Sequence, residues 1–278
     1  MRNFIKLTDL TGQEIARIFE TADRLSAGQH SDALKGRTVV MFFPESSIRT
    51  RVSFEKGIYQ LGGQSILFPP EALDKREALC DVAGYLNNWA DMAVIRHKDP
   101  AVIGEFARHA QFPVINAMTS VDHPCEVLTD MYALTRRDPA LAQGRFLYVG
   151  ANTNIGKAWR EASEVFGFEL EQCCPPGYEV RGLTVRRDIR EAVRGKNVVC
   201  TDSLPETAKE DFKDFRVTAE IMGLAAPGAV LDPCPPFYRG EEVSADAIDS
   251  PYFVGCGFKK ALLEIQQAIM LWCLAGDQ

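Results

Sequence analysis

Short apolar runs alternate along this chain with stretches whose apolar residues recur every three or four positions, the signatures of buried strands and amphipathic helices. Ile15, Ile18 and Phe19, with Thr8 and Glu14 ahead of them, predict a first helix. Residues 37–43 (RTVVMFF) are β-branched and aromatic and predict a buried strand, followed by a helix through Phe54, Ile58 and Leu61 that stops at Gly62-Gly63. Strand 64–68, helix 77–89, strand 91–95 (DMAVI) and strand 113–116 follow, then a loop holding His123-Pro124 and a helix to about Arg137. A second series begins with strand 145–149 (RFLYV), the turn GANTNIG and a helix around 158–166. Segments 169–173, 197–201 and 229–232 predict further strands, and 259–274 is apolar enough to be a helix packed on the body. The alternation defines an α/β fold of two lobes, each with a parallel sheet flanked by helices, the C-terminal helix returning to the first lobe. RRDPALAQG, near 136–145, mixes charge, Pro and Gly and marks the hinge, giving domains 1–138 and 139–258 and a closing helix 259–278. No internal repeat or low-complexity stretch interrupts the pattern.

Composition narrows the function. With 278 residues, 46% hydrophobic and 25% charged, the chain can bury two cores. Its net charge of −7 argues against a nucleic-acid partner, although a few arginines in a cleft still hold a small anion at short range. The eight cysteines form no C-x-x-C pair and there are only four histidines, so no metal and no cofactor is expected. The N-terminus lacks the apolar core of a signal peptide and no stretch reaches about 18 apolar residues, so a cytoplasmic location without a membrane partner is expected.

The strongest chemical signal is strand–PESSIRTRVSFE–helix. A helix start offers unsatisfied N–H groups and a favourable dipole to a phosphate. Ser47 can add a hydroxyl, Arg49 a forked guanidinium, and Thr50 both an N–H and a hydroxyl. The competing reading is a solvated helix start with serine as N-cap and surface arginines. Arg96 stands just after a strand, where α/β sheets present ligand-binding groups; there the alternative is a surface ion pair.

FFPESSIRTRVSFEKGIYQLGG resembles the carbamoyl-phosphate motif (S-x-R-T-R) of the aspartate and ornithine carbamoyltransferase family. HPCEVLTD is similar to that family's H-P-x-Q-x-L-x-D, and YVGANTNIG and LDPCPPFYRGEEV continue the likeness in order over nearly the whole chain, closer to the ornithine branch. The resemblance implies a carbamoyl-phosphate-binding first domain and an acceptor-binding second domain. It assigns Ser47, Ile48 and Arg49 to the phosphate, and Thr50, Arg96 and His123 to the carbonyl oxygen as the catalytic set. Glu126 stands where the family has a Gln that meets the carbamoyl amino group. DKRE at 74–77 resembles a loop whose lysine, here Lys75, reaches a neighbouring subunit, implying a homotrimer with shared active sites. A solvated charged loop is the alternative.

On the acceptor side the resemblance implies Asn154, Asp202, Cys234 and Pro235. The branch's S-M-G is replaced by Glu206-Thr207-Ala208, and its H-C-L-P begins with Pro233 rather than His. Glu206 in place of a serine donor disfavours an α-carboxylate, so a diamine or short diamino acid fits better than ordinary ornithine or aspartate; Glu206 facing solvent is the alternative. The expected activity is transfer of a carbamoyl group from carbamoyl phosphate to such an amine. Two competitors remain: a catalytically silent carbamoyl-phosphate-binding relative, and an NAD-dependent oxidoreductase. The second is disfavoured because GANTNIG lacks the middle glycine of G-x-G-x-x-G.

Overall fold

The structure is a computed structural model and describes residues 2–276. Its backbone contacts divide the chain into two compact units, one running to Tyr132 and resuming at Lys260, the other Ala133–Lys259.

The first unit holds α1 (Gly12–Ser26), β1 (Thr38–Phe42), α2 (Arg49–Gln60), β2 (Gln64–Phe68), α3 (Leu79–Leu86), β3 (Met92–Arg96), α4 (Pro100–His109), β4 (Val114–Met118) and most of α5 (Pro124–Arg137). Its four strands are all parallel in the order β2-β1-β3-β4. Helix α1 starts later than Thr8 suggests. Thr11 is the N-cap, accepting the Glu14 N–H, while the Glu14 carboxylate takes the Thr11 N–H and hydroxyl. Ile15, Ile18, Phe19 and Ala22 then form its buried stripe. Val40 and Phe42 of β1, Ala93 and Ile95 of β3 and Val114 of β4 bury one sheet face against Ile103 and Phe106 of α4. Each large apolar side chain so buried contributes roughly 1.5–3 kcal/mol. Strand β2 is the edge and is mostly exposed. Helix α3 is shorter than its pattern implies because Asn87 turns its amide to the neighbouring α4 terminus, donating to His109 O and accepting from Gln111 N–H.

The second unit holds α6 (Pro139–Ala142), β5 (Arg145–Val149), α7 (Asn154–Phe166), β6 (Glu169–Cys173), β7 (Thr184–Arg186), α8 (Ile189–Ala192), β8 (Val198–Thr201), α9 (Ala219–Met222), β9 (Val230–Pro233) and α10 (Ala245–Ile248). Five parallel strands run in the order β7-β6-β5-β8-β9. Leu147, Val149, Val199 and Leu231 face Ile221, Met222 and Ile248 in one core cluster. Phe146 of β5 stacks on Phe168 at a centroid separation of 4.0 Å, with Trp159 of α7 against both. Strand β7 escapes sequence reading because three residues with one half-buried side chain carry no periodic signal.

Helix α11 (Ala261–Ala275) belongs to the first unit and packs on α1 and α2. Gln267, buried, donates to Gly57 O at 3.3 Å, an approach that the lack of a side chain at Gly57 permits. No helix among the described residues is long and apolar enough to cross a membrane.

Candidate functional site

In each sheet the strand order turns outward from one place, between β1 and β3 in the first and between β5 and β8 in the second. Open α/β sheets hold ligands beyond the strand C-termini at such points. Residues 47–50 follow β1, Arg96 ends β3 and His123 follows β4; Asn154, Asp202 and Cys234 follow β5, β8 and β9, so each set lies at the strand ends of its own unit.

In the first unit the chain leaves β1, turns through PESS and enters α2 at Arg49. Ile48, not Ser47, is the residue that caps α2, and it makes no side-chain cap bond. Ser47 is buried, and its hydroxyl accepts from Arg96 Nη1 at 3.1 Å, a bond spanning two strand ends. Thr50 is buried in the first turn of α2, whereas Arg49 and Ile48 are exposed there. Arg96 is aimed by an irregularity: Ile95 pairs with Asn116 but Arg96 with Met118, so Ala117 is skipped at the strand end.

His123 is buried immediately before Pro124, and its carbonyl accepts the Val127 N–H that starts α5. Glu126, also buried, lies in the first helical turn, where the dipole favours a carboxylate. His123 Nε2 and Glu126 Oε2 are 4.0 Å apart, an ion-pair separation rather than a hydrogen bond. Lys75 is exposed on a bend after the Pro70–Leu73 turn.

Two supporting side chains, Asp122 and His97, were not singled out in the sequence. Asp122 Oδ1 accepts from Asn116 Nδ2 at 2.9 Å and from Thr119 Oγ at 2.6 Å, fixing the turn from which His123 emerges. The local signal was Thr119 three residues before Asp122, a pair that bonds across a turn. His97, buried, bonds Asp74 and has no sequence signature beyond its place after Arg96. Pro44, Asp74, Arg96, His97 and Thr119 share a cavity of about 330 Å³.

In the second unit Asn154 is the first residue of α7, half-buried, with its Oδ1 receiving the Ile155 N–H at 3.1 Å. Asp202 is buried directly after β8 and accepts the Ser203 N–H. Cys234 is buried after β9, its backbone N–H bonded to Thr201 O at 2.9 Å, and Pro235 is half-buried before a cis bond to Pro236. Glu206 stands apart from this group: its side chain is 86% exposed and pairs with Lys209, which also reaches Glu241. The repulsion that sequence reading assigned to Glu206 is therefore directed into solvent.

The glycine turn has its own explanation. A Cβ at Gly150 would lie 2.6 Å from Tyr148 Oη, and one at Gly156 2.6 Å from Tyr148 Cε1. The glycines make room for this buried ring, whose hydroxyl donates to Ala151 O and bonds Thr153. Burial, and then the Asp202 charge, push the Tyr148 phenol well above its usual range. No group of three His, Cys, Asp or Glu arranged for a metal ion occurs among the described residues. Burial also raises the thiols of Cys125, Cys173, Cys174 and Cys273, so none is a ready nucleophile.

One unit thus offers hydroxyl and guanidinium donors for an anion, the other a buried carboxylate, a division of labour suited to a two-substrate transferase. Residues 2–136 match the aspartate/ornithine carbamoyltransferase carbamoyl-P binding domain, and residues 143–273 the Asp/Orn binding domain. The chain belongs to the aspartate/ornithine carbamoyltransferase family. It is 32% identical over 302 residues to the ornithine carbamoyltransferase of Chromobacterium violaceum, covering 100% of this chain and 98% of that protein. The ornithine carbamoyltransferase of Pyrococcus furiosus superposes with a TM-score of 0.92 at 28% identity, covering 100% and 98% of the two chains. That of Burkholderia thailandensis gives 0.92 at 30%, with 100% of both covered.

Proposed function

We propose that this carbamoyltransferase moves the carbamoyl group of carbamoyl phosphate to an amine whose carrier is cationic, a diamine or diamino acid. Arg49, Ser47 and the amides of Ile48 and Thr50 hold the phosphate. Thr50, Arg96 and His123 polarise the carbonyl and stabilise the oxyanion that forms when the neutral amine attacks carbon. The new C–N bond forms as the C–O bond to phosphate breaks, and the departing phosphate takes the amine proton. Glu126 accepts from the carbamoyl NH₂, a bond that a carboxylate can make as well as the family's amide. Positioning and fixed charge carry the acceleration, with no protein nucleophile and no metal or cofactor.

The observation that carries this reading is the Arg96–Ser47 bond at the β1/β3 switch point, which ties both halves of the donor motif to one spot. Asn154, Asp202, Cys234 and Pro235 are assigned to the acceptor, the buried Asp202 carboxylate to its ammonium. With Glu206 in solvent, the case against an α-carboxylate weakens, and diamino acids stand beside diamines as acceptors.

We assign the chain to homotrimers with Lys75 contributed across subunits and a cytoplasmic location. Ile48 at the N-cap of α2, Val52 and Tyr59 within it, and Ile66 and Phe68 of β2, all exposed apolar side chains, support such an interface. Purified protein is to be offered carbamoyl phosphate with a panel of amines, with ureido product as the readout and binding of carbamoyl phosphate measured by calorimetry. Faster carbamoylation of aspartate than of any diamine or diamino acid refutes the acceptor reading, and binding without any product identifies a silent relative. Hybrids of Lys75→Ala and Arg49→Ala subunits regain activity only if the sites are shared.

A further inference from the structure

The cavity beside Arg96 has a wall that the donor motif does not explain. His97 follows Arg96, and its backbone N–H donates to Met118 O at 3.1 Å, so the end of β3 is pinned to β4 at this residue. Its ring is buried, with Nε2 3.0 Å from Asp74 Oδ1 and Nδ1 3.1 Å from the Asp99 N–H and 3.2 Å from the Asp99 carbonyl. A carboxylate oxygen only accepts, so Nε2 carries a hydrogen whichever charge state the ring adopts. In the neutral ring Nδ1 accepts from Asp99 N–H; in the cation its hydrogen turns to Asp99 O. The bond to Asp74 survives both.

Asp74 closes the short turn Pro70–Leu73, its own N–H bonded to Glu71 O. Beyond it the chain has no helix or strand until Leu79. Among the described residues, Lys75, Arg76 and Glu77 make no hydrogen bond and no ion pair. The His97–Asp74 bond is therefore the last polar tie before Ala78, and it is made by the residue adjoining Arg96.

We propose that His97 is a positioning residue for the shared donor sites: through Asp74, which lines the same cavity as Arg96, it holds the segment from which Lys75 is contributed to the neighbouring subunit. This rests on the reading that carbamoyl phosphate binds on the Arg96 side of that cavity. His97 touches no substrate in this scheme and acts only through the segment it tethers.

The test compares His97→Leu, His97→Gln and Asp74→Ala in the full chain. Asp74 is 41% exposed, so its replacement leaves the fold intact even if a core change at His97 does not. Without ligand, amides of residues 71–78 should exchange about tenfold faster in His97→Leu and Asp74→Ala, and near the wild-type rate in His97→Gln, which keeps an N–H donor. In turnover, the KM for carbamoyl phosphate should rise about tenfold in the same two variants while kcat changes by less than about threefold. In a Lys75→Ala, Arg76→Ala background His97→Leu should add nothing to KM. Unchanged exchange across 71–78, or a lowered Tm with KM unmoved, overturns the proposal. A wild-type protein that does not bind carbamoyl phosphate sinks the donor reading instead, and the exchange comparison still decides whether His97 tethers the segment.

Discussion

Glu242 offers a sharp quantitative test of the second unit. It is 3% exposed, Oε1 accepts the Tyr238 N–H at 2.7 Å, and Oε2 is buried without a hydrogen-bond partner. Burial pushes its carboxyl from 4.5 up to about 7; the backbone N–H opposes this, and the nearby Glu241 and Asp202 charges add to it. Because the folded value is the higher one, the native state binds more protons than the unfolded chain between these values. The neutral form's stabilising advantage is thus complete below about pH 4.5 and lost as pH rises through about 7. At 1.36 kcal/mol per pKa unit the loss is about 3 kcal/mol. Glu242→Gln removes the titration and keeps an oxygen for the Tyr238 N–H, while its NH₂ inherits the buried position of Oε2. That last cost, about 1–3 kcal/mol, is independent of pH. Urea denaturation of both proteins from pH 5 to 8, followed by the fluorescence of Trp159 in this unit, reads the difference directly. The variant should gain between about 2 and 3 kcal/mol on the wild type as pH is raised across that range. A difference that stays flat refutes the assigned environment of Glu242.

Arg49→Ala should lower kcat/KM by at least about 100-fold, since in the proposed site it removes a donor to the phosphate. Because the side chain is exposed, Tm should not move, and normal activity would remove Arg49 from the donor site. Gly156→Ala places a Cβ 2.6 Å from the Tyr148 ring and should cost about 1–3 kcal/mol by denaturation. Combined with Tyr148→Ala it should be coupled by about 1 kcal/mol or more; strict additivity would contradict the close packing of glycine and ring. Of the eight cysteines, Cys80 and Cys256 are exposed and the rest buried, so a thiol reagent should titrate two sites quickly in the native protein and the others only on unfolding.

Much of the architecture was readable from periodicity. Apart from β7, the strand positions of both sheets followed from runs such as RTVVMFF and RFLYV, because parallel strands covered on both faces need continuous apolar residues. Helix ends were less legible. Thr8 and Thr11 are equivalent to a pattern search, and only the reciprocal bonds with Glu14 select Thr11. Asn87 reads as mid-helix until His109 and Gln111 supply partners from another element. The donor loop was visible because its chemistry is concentrated in consecutive residues. Asp122 and His97 were not, because their importance lies in bonds to Asn116, Thr119 and Asp74, and sequence distance carries no trace of such contacts.

Glu206 and Glu242 illustrate why the charge of a binding surface follows from burial and not from residue order. Sequence reading weighted Glu206 because it occupies the place of a motif serine, yet Lys209 and water surround its carboxylate. A surface pair of this kind contributes at most about 1 kcal/mol and is screened within about 8 Å at physiological salt. Asp202 is buried, so its field is felt by neighbours such as Tyr148, whose phenol it helps to suppress, whereas burial pushes the Glu242 carboxyl up to about 7. A carboxylate held under these conditions attracts an ammonium far more strongly than one in water. The same reasoning applies with opposite sign at Ser47, Thr50 and Arg96, where burial of the first two and a direct bond to the third set donors in place before any ligand arrives. A chain with a net charge of −7 repels a phosphate at long range, so in the proposed site the donor substrate is held by these short-range groups. A cationic acceptor of the kind proposed needs no such compensation, because the net charge attracts it at long range.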